Sequence, residues 1–158
     1  MIVFYKKMTL LSLALLAMGG GAFAQDKKAA LGLGVEWNMN SRENFAGGAA
    51  LGFNYNLPYA LAAGLTISGS SNFFGIAVVE TAALLRRYFP GNEHYGFFAQ
   101  ADVGLFLILE DGETTPLFLG GLRGGYRLPL GSSWYIEPYG RLGYPFAFGI
   151  GVSGGLKL

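Results

Sequence analysis

The chain has 158 residues, the length of one domain, with 11 basic and 10 acidic side chains and a net charge of +1. That balance excludes the basic footprint of a nucleic-acid binder, and the absence of cysteine excludes a disulfide scaffold or a lipid-anchored cysteine. Charged residues are 13% of the chain, where about 25% is usual, and hydrophobic ones 52%, yet beyond the leader no stretch approaches the ~20 apolar residues of a membrane helix.

The leader comes first. Lys6 and Lys7 precede an apolar run from Met8 to Met18, followed by the small residues Ala22 and Ala24. This is the layout of a secretory signal peptide, and the run is too short to cross a bilayer as a helix. Cleavage is expected after Ala24, which makes 1–24 a signal peptide and 25–158 the mature domain. Loss of Lys6 and Lys7 leaves nine basic against ten acidic residues.

From Ala30 the sequence alternates with period 2, the signature of strands with one apolar face. Leu31, Leu33, Val35 and Trp37 oppose Gly32, Gly34, Glu36 and Asn38. After NSREN, Phe45, Ala49, Leu51, Phe53 and Tyr55 oppose Ala46, Gly48, Ala50, Gly52 and Asn54, and Leu57-Pro58 ends the pairing. A third strand, about 60–69, sets Leu61, Ala63, Leu65 and Ile67 against Ala62, Gly64, Thr66 and Ser68. The fourth segment, 73–89, is uniformly apolar and carries Glu80, which should avoid lipid. Pro90-Gly91-Asn92 turns it. In the fifth, Tyr95, Phe97, Ala99, Ala101, Val103 and Leu105 oppose Gly96, Gln100, Asp102 and Gly104. EDGETTP, 110–116, is expected to be its loop. The sixth opposes Phe118, Leu122, Tyr126 and Leu128 to Gly121, Arg123, Gly125 and Arg127; the seventh opposes Trp134, Ile136, Pro138, Leu142 and Tyr144 to Tyr135, Glu137, Tyr139, Arg141 and Gly143. The last strand places Phe146, Phe148, Ile150, Val152, Leu156 and Leu158 on one face. Its other face holds Ala147, Gly149, Gly151, Ser153 and Gly155.

Eight strands of this kind imply an all-β fold, an eight-stranded antiparallel up-and-down transmembrane β-barrel, with both termini at the periplasmic end. Strands two, four and six each end in an aromatic followed by proline: Tyr55-Asn-Leu-Pro58, Tyr88-Phe-Pro90 and Tyr126-Arg-Leu-Pro129. Tyr55, Tyr88, Tyr126 and Trp134 are therefore expected at the membrane interface.

The position of the charges decides which face meets lipid. Glu36, Asp102, Arg123, Arg127, Glu137 and Arg141 share the glycine-rich face, and the opposite face is nearly all apolar or aromatic. Pointing the charges inward avoids roughly 2–4 kcal/mol per basic residue at the bilayer midplane. Glu36, Glu80, Asp102 and Glu137 with Arg86, Arg123, Arg127 and Arg141 should then form a lumen ion-pair network. Arg123 is expected to bridge Asp102 and also Glu80, with Arg127 or Arg141 on Glu137.

Other chemistries fit poorly. Gly149-Ile150-Gly151-Val152-Ser153-Gly154 matches G-x-G-x-x-G, but no helix or downstream acid follows it. These glycines are read instead as the inward face of a closing strand paired with 31–37, leaving room for Tyr139 and Arg141. His94, the one histidine, sits in a turn and is expected to be solvated there; no catalytic site, cofactor or enzyme activity is expected. Glu110, Asp111 and Glu113 lack calcium-loop spacing, and no metal site is expected.

Three motifs, Arg87-Tyr88-Phe89-Pro90, Phe97-Phe98-Ala99-Gln100-Ala101-Asp102-Val103-Gly104 and Trp134-Tyr135-Ile136-Glu137-Pro138-Tyr139, give the chain its family likeness. From Ala30 to Leu158 it resembles the small eight-stranded outer-membrane proteins grouped with the OmpX and OmpA transmembrane-domain families. The resemblance implies export through the inner membrane, insertion into outer-membrane lipid by the β-barrel assembly machinery, and a monomer. It implies roles in envelope integrity, adhesion or minor permeability. The chain departs from that pattern at its end, Leu156-Lys157-Leu158 in place of a terminal aromatic, which puts efficient assembly in heterologous hosts in doubt. Two functional readings stand: a structural envelope barrel with a filled polar lumen, or a narrow channel or transporter for small, including apolar, solutes.

Overall fold

A computed structural model describes residues 27–39, 45–72, 75–89, 93–110 and 112–158. The expected signal peptide, 1–24, lies outside them. Eight strands follow in chain order: β1 (Ala29–Met39), β2 (Phe45–Leu57), β3 (Leu61–Ser71), β4 (Ala77–Phe89), β5 (Gly96–Glu110), β6 (Glu113–Leu130), β7 (Trp134–Tyr144) and β8 (Phe148–Lys157). Each pairs antiparallel with the next, and β1 pairs with β8, so the sheet closes on itself and has no free lateral edge strand. The all-β, eight-stranded up-and-down barrel read from the alternation is the observed fold. Closure aligns Val35 with Val152 and Leu33 with Gly154, and the backbone of Ala29 exchanges two hydrogen bonds with that of Leu158.

Alternation becomes burial. Along β4, from Val78 to Tyr88, every even residue is buried and every odd residue from Thr81 on is exposed. Side chains such as Leu33, Leu65, Phe97, Leu122 and Leu142 are more than half exposed on the outside of the barrel. Glu36, Glu80, Arg86, Asp102, Arg123, Arg127, Glu137 and Arg141 are all buried inside.

Four sequence expectations need correcting. Strand β4 begins at Ala77 rather than at 73. Tyr88 is only 1% exposed and points into the lumen, so it is not an interfacial aromatic; its neighbour Phe89, 44% exposed, takes the outward position. Tyr55 and Trp134 are exposed, and half-buried Tyr126 stacks edge-on against Phe97 at 4.7 Å.

The third correction concerns EDGETTP, which is not a loop. β5 runs to Glu110 and β6 starts at Glu113, directly opposite, with Gly112 at φ 84° in the turn. Pro116 is tolerated inside β6 because the ladder to β7 begins only at Gly120 and Tyr144; proline fits where its missing N–H has no partner to serve. The fourth concerns Phe146, which precedes β8 and is buried at 5%, while Ala147 is exposed. The alternation of β8 starts only at Phe148, so parity does not extend back through the link.

The interior is layered along the barrel axis. At the end opposite the termini, the far end, Ala46, Val78, Ala82, Phe106, Leu119 and Phe146 pack together, with Phe106 and Phe146 edge to face at 5.2 Å. At the end that holds the termini, the near end, Ala60, Ala62, Tyr88 and Phe98 form a second apolar layer. Most of the charged groups lie between the two, while Arg127, opposite Gly96, stands at the level of the near layer against the Tyr88 and Tyr135 rings.

Candidate functional site: the ionic core

The strands that supply the core are fixed by parity, and the partners across it by barrel geometry. Arg123 on β6 donates from Nε to Asp102 Oδ2 on adjacent β5 at 2.8 Å. Its Nη1 also lies 3.7 Å from Glu36 Oε2. The sequence reading gave Glu80 to Arg123 as well. The structure gives it to Arg141, whose Nη1 donates to Glu80 Oε2 at 2.9 Å and to Glu36 Oε1 at 3.3 Å. Glu36 also accepts from the Tyr139 hydroxyl at 3.1 Å and from Asn38 Nδ2 at 3.1 Å. This far cluster holds three carboxylates and two guanidiniums.

A second cluster lies toward the near end. Arg86 Nη1 donates to Glu137 Oε1 at 2.7 Å, and Arg127 Nε donates to the same oxygen. Glu137 thus takes Arg127, one of its two expected partners, and adds Arg86. Ser153 Oγ is 3.5 Å from the other carboxylate oxygen. Aromatic faces complete the solvation of the cations: Arg86 lies 4.0 Å from the Phe98 ring centroid and Arg127 4.0 Å from that of Tyr135. Tyr88 accepts a hydrogen bond from Arg86 Nη1 at 3.1 Å, which explains its inward turn.

The near cluster carries one excess positive charge and the far cluster one excess negative charge. Gln100 joins them, accepting from Arg86 Nε at 2.7 Å and donating to Asp102 Oδ1 at 2.6 Å. Its inward parity was legible in the sequence, but its part in the network was not. Such an amide is suited to this position because it offers an acceptor to the cationic side and a donor to the anionic side.

The C-terminal glycines owe their presence to this core. In the β7–β8 register Arg141 faces Gly149, Tyr139 faces Gly151 and Tyr135 faces Gly155. A Cβ at Gly149 would stand 2.8 Å from Arg141 Cγ, and one at Gly151 2.5 Å from Tyr139 Cζ. Arg141, Tyr139 and Tyr135 therefore occupy the volume that side chains at 149, 151 and 155 on β8 would need.

His94 differs from its expected state. It is half-buried rather than solvated. Its Nε2 lies 2.9 Å from the Leu57 carbonyl oxygen and 3.0 Å from that of Leu61. Both partners accept only, so Nε2 carries the proton. The ring clamps the β2–β3 turn, where Tyr59 and Ala60 both have positive φ, 62° and 56°, a region costly for residues with a Cβ. Ala60 is thereby held wholly buried in the near mouth of the lumen.

Among the described residues no group of three or more His, Cys, Asp or Glu side chains is arranged to hold a metal ion. Nor does any helix among them have the length and apolarity to cross a membrane, which says nothing about strands. Arginines and carboxylates neutralise one another within a closed wall, so the core is an internal electrostatic clamp.

These features define a class: a closed eight-stranded up-and-down barrel, apolar outside and ionic inside. In fold the chain is similar to the crystal structure of Neisserial surface protein A (NspA), with a TM-score of 0.60 and 8% identity, over 82% of this chain and 96% of that one. The crystal structure of the N-terminal β-barrel domain of Pseudomonas aeruginosa OprF aligns over 80% of this chain and 96% of that one, at 10% identity and a TM-score of 0.49. No protein-family model matches the sequence, and a search of curated proteins finds no relative. At such identity the likeness is one of fold.

Proposed function

We propose that the chain is an integral outer-membrane β-barrel, exported through the inner membrane, with a structural role in the envelope and a lumen shut to solutes. The observation that carries this reading is the layered interior. Both ends of the ionic core are closed by packed apolar side chains, and the chamber within it measures only about 40 Å³. An ion passing through would have to displace Phe106 and Phe146 at one end and Tyr88 and Phe98 at the other.

The membrane assignment rests on the outer face. Among the described residues the exposed charges Lys28, Arg87, Glu93, Glu110 and Glu113 all lie toward the two rims, and the band between them is apolar. In water, so continuous a band would far exceed the few hundred Å² of apolar patch a soluble monomer exposes. In a bilayer it is the lipid-facing surface of a barrel. Outer-membrane lipid and the β-barrel assembly machinery are then its partners, and it acts as a monomer without cofactor or enzymatic activity.

One observation favours a second reading, transport of small apolar solutes. A recess of about 170 Å³ opens at the far end, lined by Phe45, Ile76, Val78, Phe106, Ile108 and Phe146 among others. Swelling assays on proteoliposomes separate the two readings. A closed barrel shows no swelling with small sugars and no stable open level in planar bilayers, and solute entry at porin-like rates refutes it. Heat-modifiable gel migration and membrane fractionation test location, and recovery as a soluble periplasmic protein overturns the proposal.

A further inference from the structure

The near rim carries a recess that the ionic core does not use. It measures about 400 Å³ and is lined by Lys27, Lys28, Tyr55, Leu57, Pro58 and His94 among others, with no carboxylate among the described residues. Its frame is fixed by hydrogen bonds. Asn56 donates from its backbone N–H to the Lys28 carbonyl oxygen at 2.6 Å and from Nδ2 to that of Lys27 at 3.1 Å. His94 holds the opposite wall through the carbonyls of Leu57 and Leu61. The two lysines differ in state. Lys27 Nζ donates to the Ser132 carbonyl oxygen at 3.2 Å and to Ser133 Oγ, whereas the ammonium of exposed Lys28 makes no hydrogen bond or ion pair among the described residues. The rim around it is cationic. Among the described residues Lys27, Lys28, Arg87 and Lys157 stand against Glu93, which acts on Lys157 and does not line the recess, while the far rim carries Glu110 and Glu113.

We propose that this recess binds the phosphodiester of an anionic phospholipid in the leaflet at the near end, with Lys28 as its cation. The lining selects for that chemistry. A cation meets Lys28 with no carboxylate to offset the repulsion, and an apolar solute leaves Lys28 unused. A free inorganic anion leaves the apolar wall of Tyr55, Leu57 and Pro58 unused. A lipid uses both parts: Tyr55 is 45% exposed on the outer side of the barrel, so acyl chains whose phosphate meets Lys28 continue along the lipid-facing wall. A zwitterionic headgroup adds an ammonium for which the recess offers no counter-charge, so the preference is for a net negative lipid. The inference rests on the membrane reading, which supplies the leaflet.

The test places the folded protein, recovered from membranes, in nanodiscs of mixed phosphatidylglycerol and phosphatidylcholine and reads the lipids it retains by native mass spectrometry. Retention of one phosphatidylglycerol in preference to phosphatidylcholine is expected. A lysine beside an anionic headgroup contributes about fivefold, so Lys28→Gln is expected to lower that preference by about fivefold and Lys28→Arg to keep it within about twofold. Arg87→Gln, on the same rim but outside the recess, is expected to stay within about twofold of wild type. Folding of each variant is confirmed by its gel mobility. Equal losses in Lys28→Gln and Arg87→Gln show diffuse attraction to the rim and overturn the site. Displacement of the lipid by inorganic phosphate assigns the recess to a free anion and overturns the lipid. An inserted barrel with no preference for phosphatidylglycerol overturns the site alone, and recovery only as a soluble protein overturns the membrane reading with it.

Discussion

Glu137 is the most economical place to test whether the ionic core holds the barrel together. Its Oε1 accepts from both Arg86 and Arg127, and both arginines are at least nine-tenths buried. Glu137→Ala leaves two guanidiniums facing each other with no counter-charge in the near cluster. Breaking a buried ion pair by removing one partner costs about 3–5 kcal/mol, because the remaining charge stays desolvated. Here two charges are left behind, relieved by the Phe98, Tyr135 and Tyr88 rings and by hydrogen bonds from Arg86 to Gln100 and Tyr88. The folding equilibrium constant is expected to fall by roughly a hundredfold to a few thousandfold. Glu137→Gln keeps an acceptor and loses the charge, so its loss should be about half as large in free energy, by the difference between charged and neutral hydrogen bonds. Reversible urea unfolding in lipid vesicles, scored by the folded band in unheated gels, measures both. If Glu137→Ala stays within about 1 kcal/mol of wild type, the core is not the clamp described.

Further expectations concern faces and fit. Leu122, 63% exposed on the outer wall, should tolerate Arg in water but cost about 2–4 kcal/mol in a bilayer; a neutral Leu122→Arg in vesicles refutes the lipid-facing assignment. Gly151→Val should cost about 1–3 kcal/mol by overpacking against Tyr139, whereas Gly140→Ala, whose new Cβ meets nothing nearer than 3.8 Å, should fall within about 1 kcal/mol; equal losses in vesicle unfolding would contradict the register argument. Tyr88→Phe removes a hydrogen bond from a buried guanidinium and should cost about 1.5–3 kcal/mol, while Tyr55→Phe at the outer surface should cost little; the reverse order returns Tyr88 to the interface. Phe106→Ala with Phe146→Ala opens the far apolar layer and should lower stability by about 3 kcal/mol or more; a conductance that appears only in this variant supports the seal, and wild-type conductance refutes it.

The sequence disclosed these faces unevenly, for reasons that particular residues make clear. Strand β1 was legible because Glu36 and Asn38 mark the wet parity and Trp37 the dry one. Strand β4 was harder, since its run of apolar residues hides the period. Even so, Glu80, Arg86 and Tyr88 share one parity, so fixing Glu80 inward also fixes Tyr88 inward. The recurring aromatic-proline signal outweighed that deduction and misplaced Tyr88, although Phe89 satisfies the same signal. Partners on adjacent strands, Arg123 with Asp102 and Arg127 with Glu137, can be read from strand order. Partners across the lumen cannot: Arg141 on β7 reaches Glu80 on β4, and Arg86 on β4 reaches Glu137 on β7. Those meetings depend on strand tilt and stagger, which alternation does not encode. The apolar end layers were missed for a similar reason. Phe98 and Phe106 alternate in phase with the charges, and only their height along the axis separates them from the ionic core.

The crossing of the charge network from one wall to the other constrains the order of assembly. Glu36 on β1 and Glu80 on β4 both depend on Arg141 on β7, and Glu137 on β7 depends in part on Arg86 on β4. The β6–β7 hairpin can already pair Arg127 with Glu137, but no hairpin of neighbouring strands can give Glu80 or Arg86 its guanidinium or carboxylate partner by itself. A hairpin entering lipid alone would carry bare carboxylates and guanidiniums into hydrocarbon, at a cost of several kcal/mol for each group. The favourable route keeps the inward faces in water until β1 and β8 meet. For a barrel that enters a membrane as proposed, insertion and circular closure are then expected to be one cooperative event, with no half-inserted sheet as a resting state.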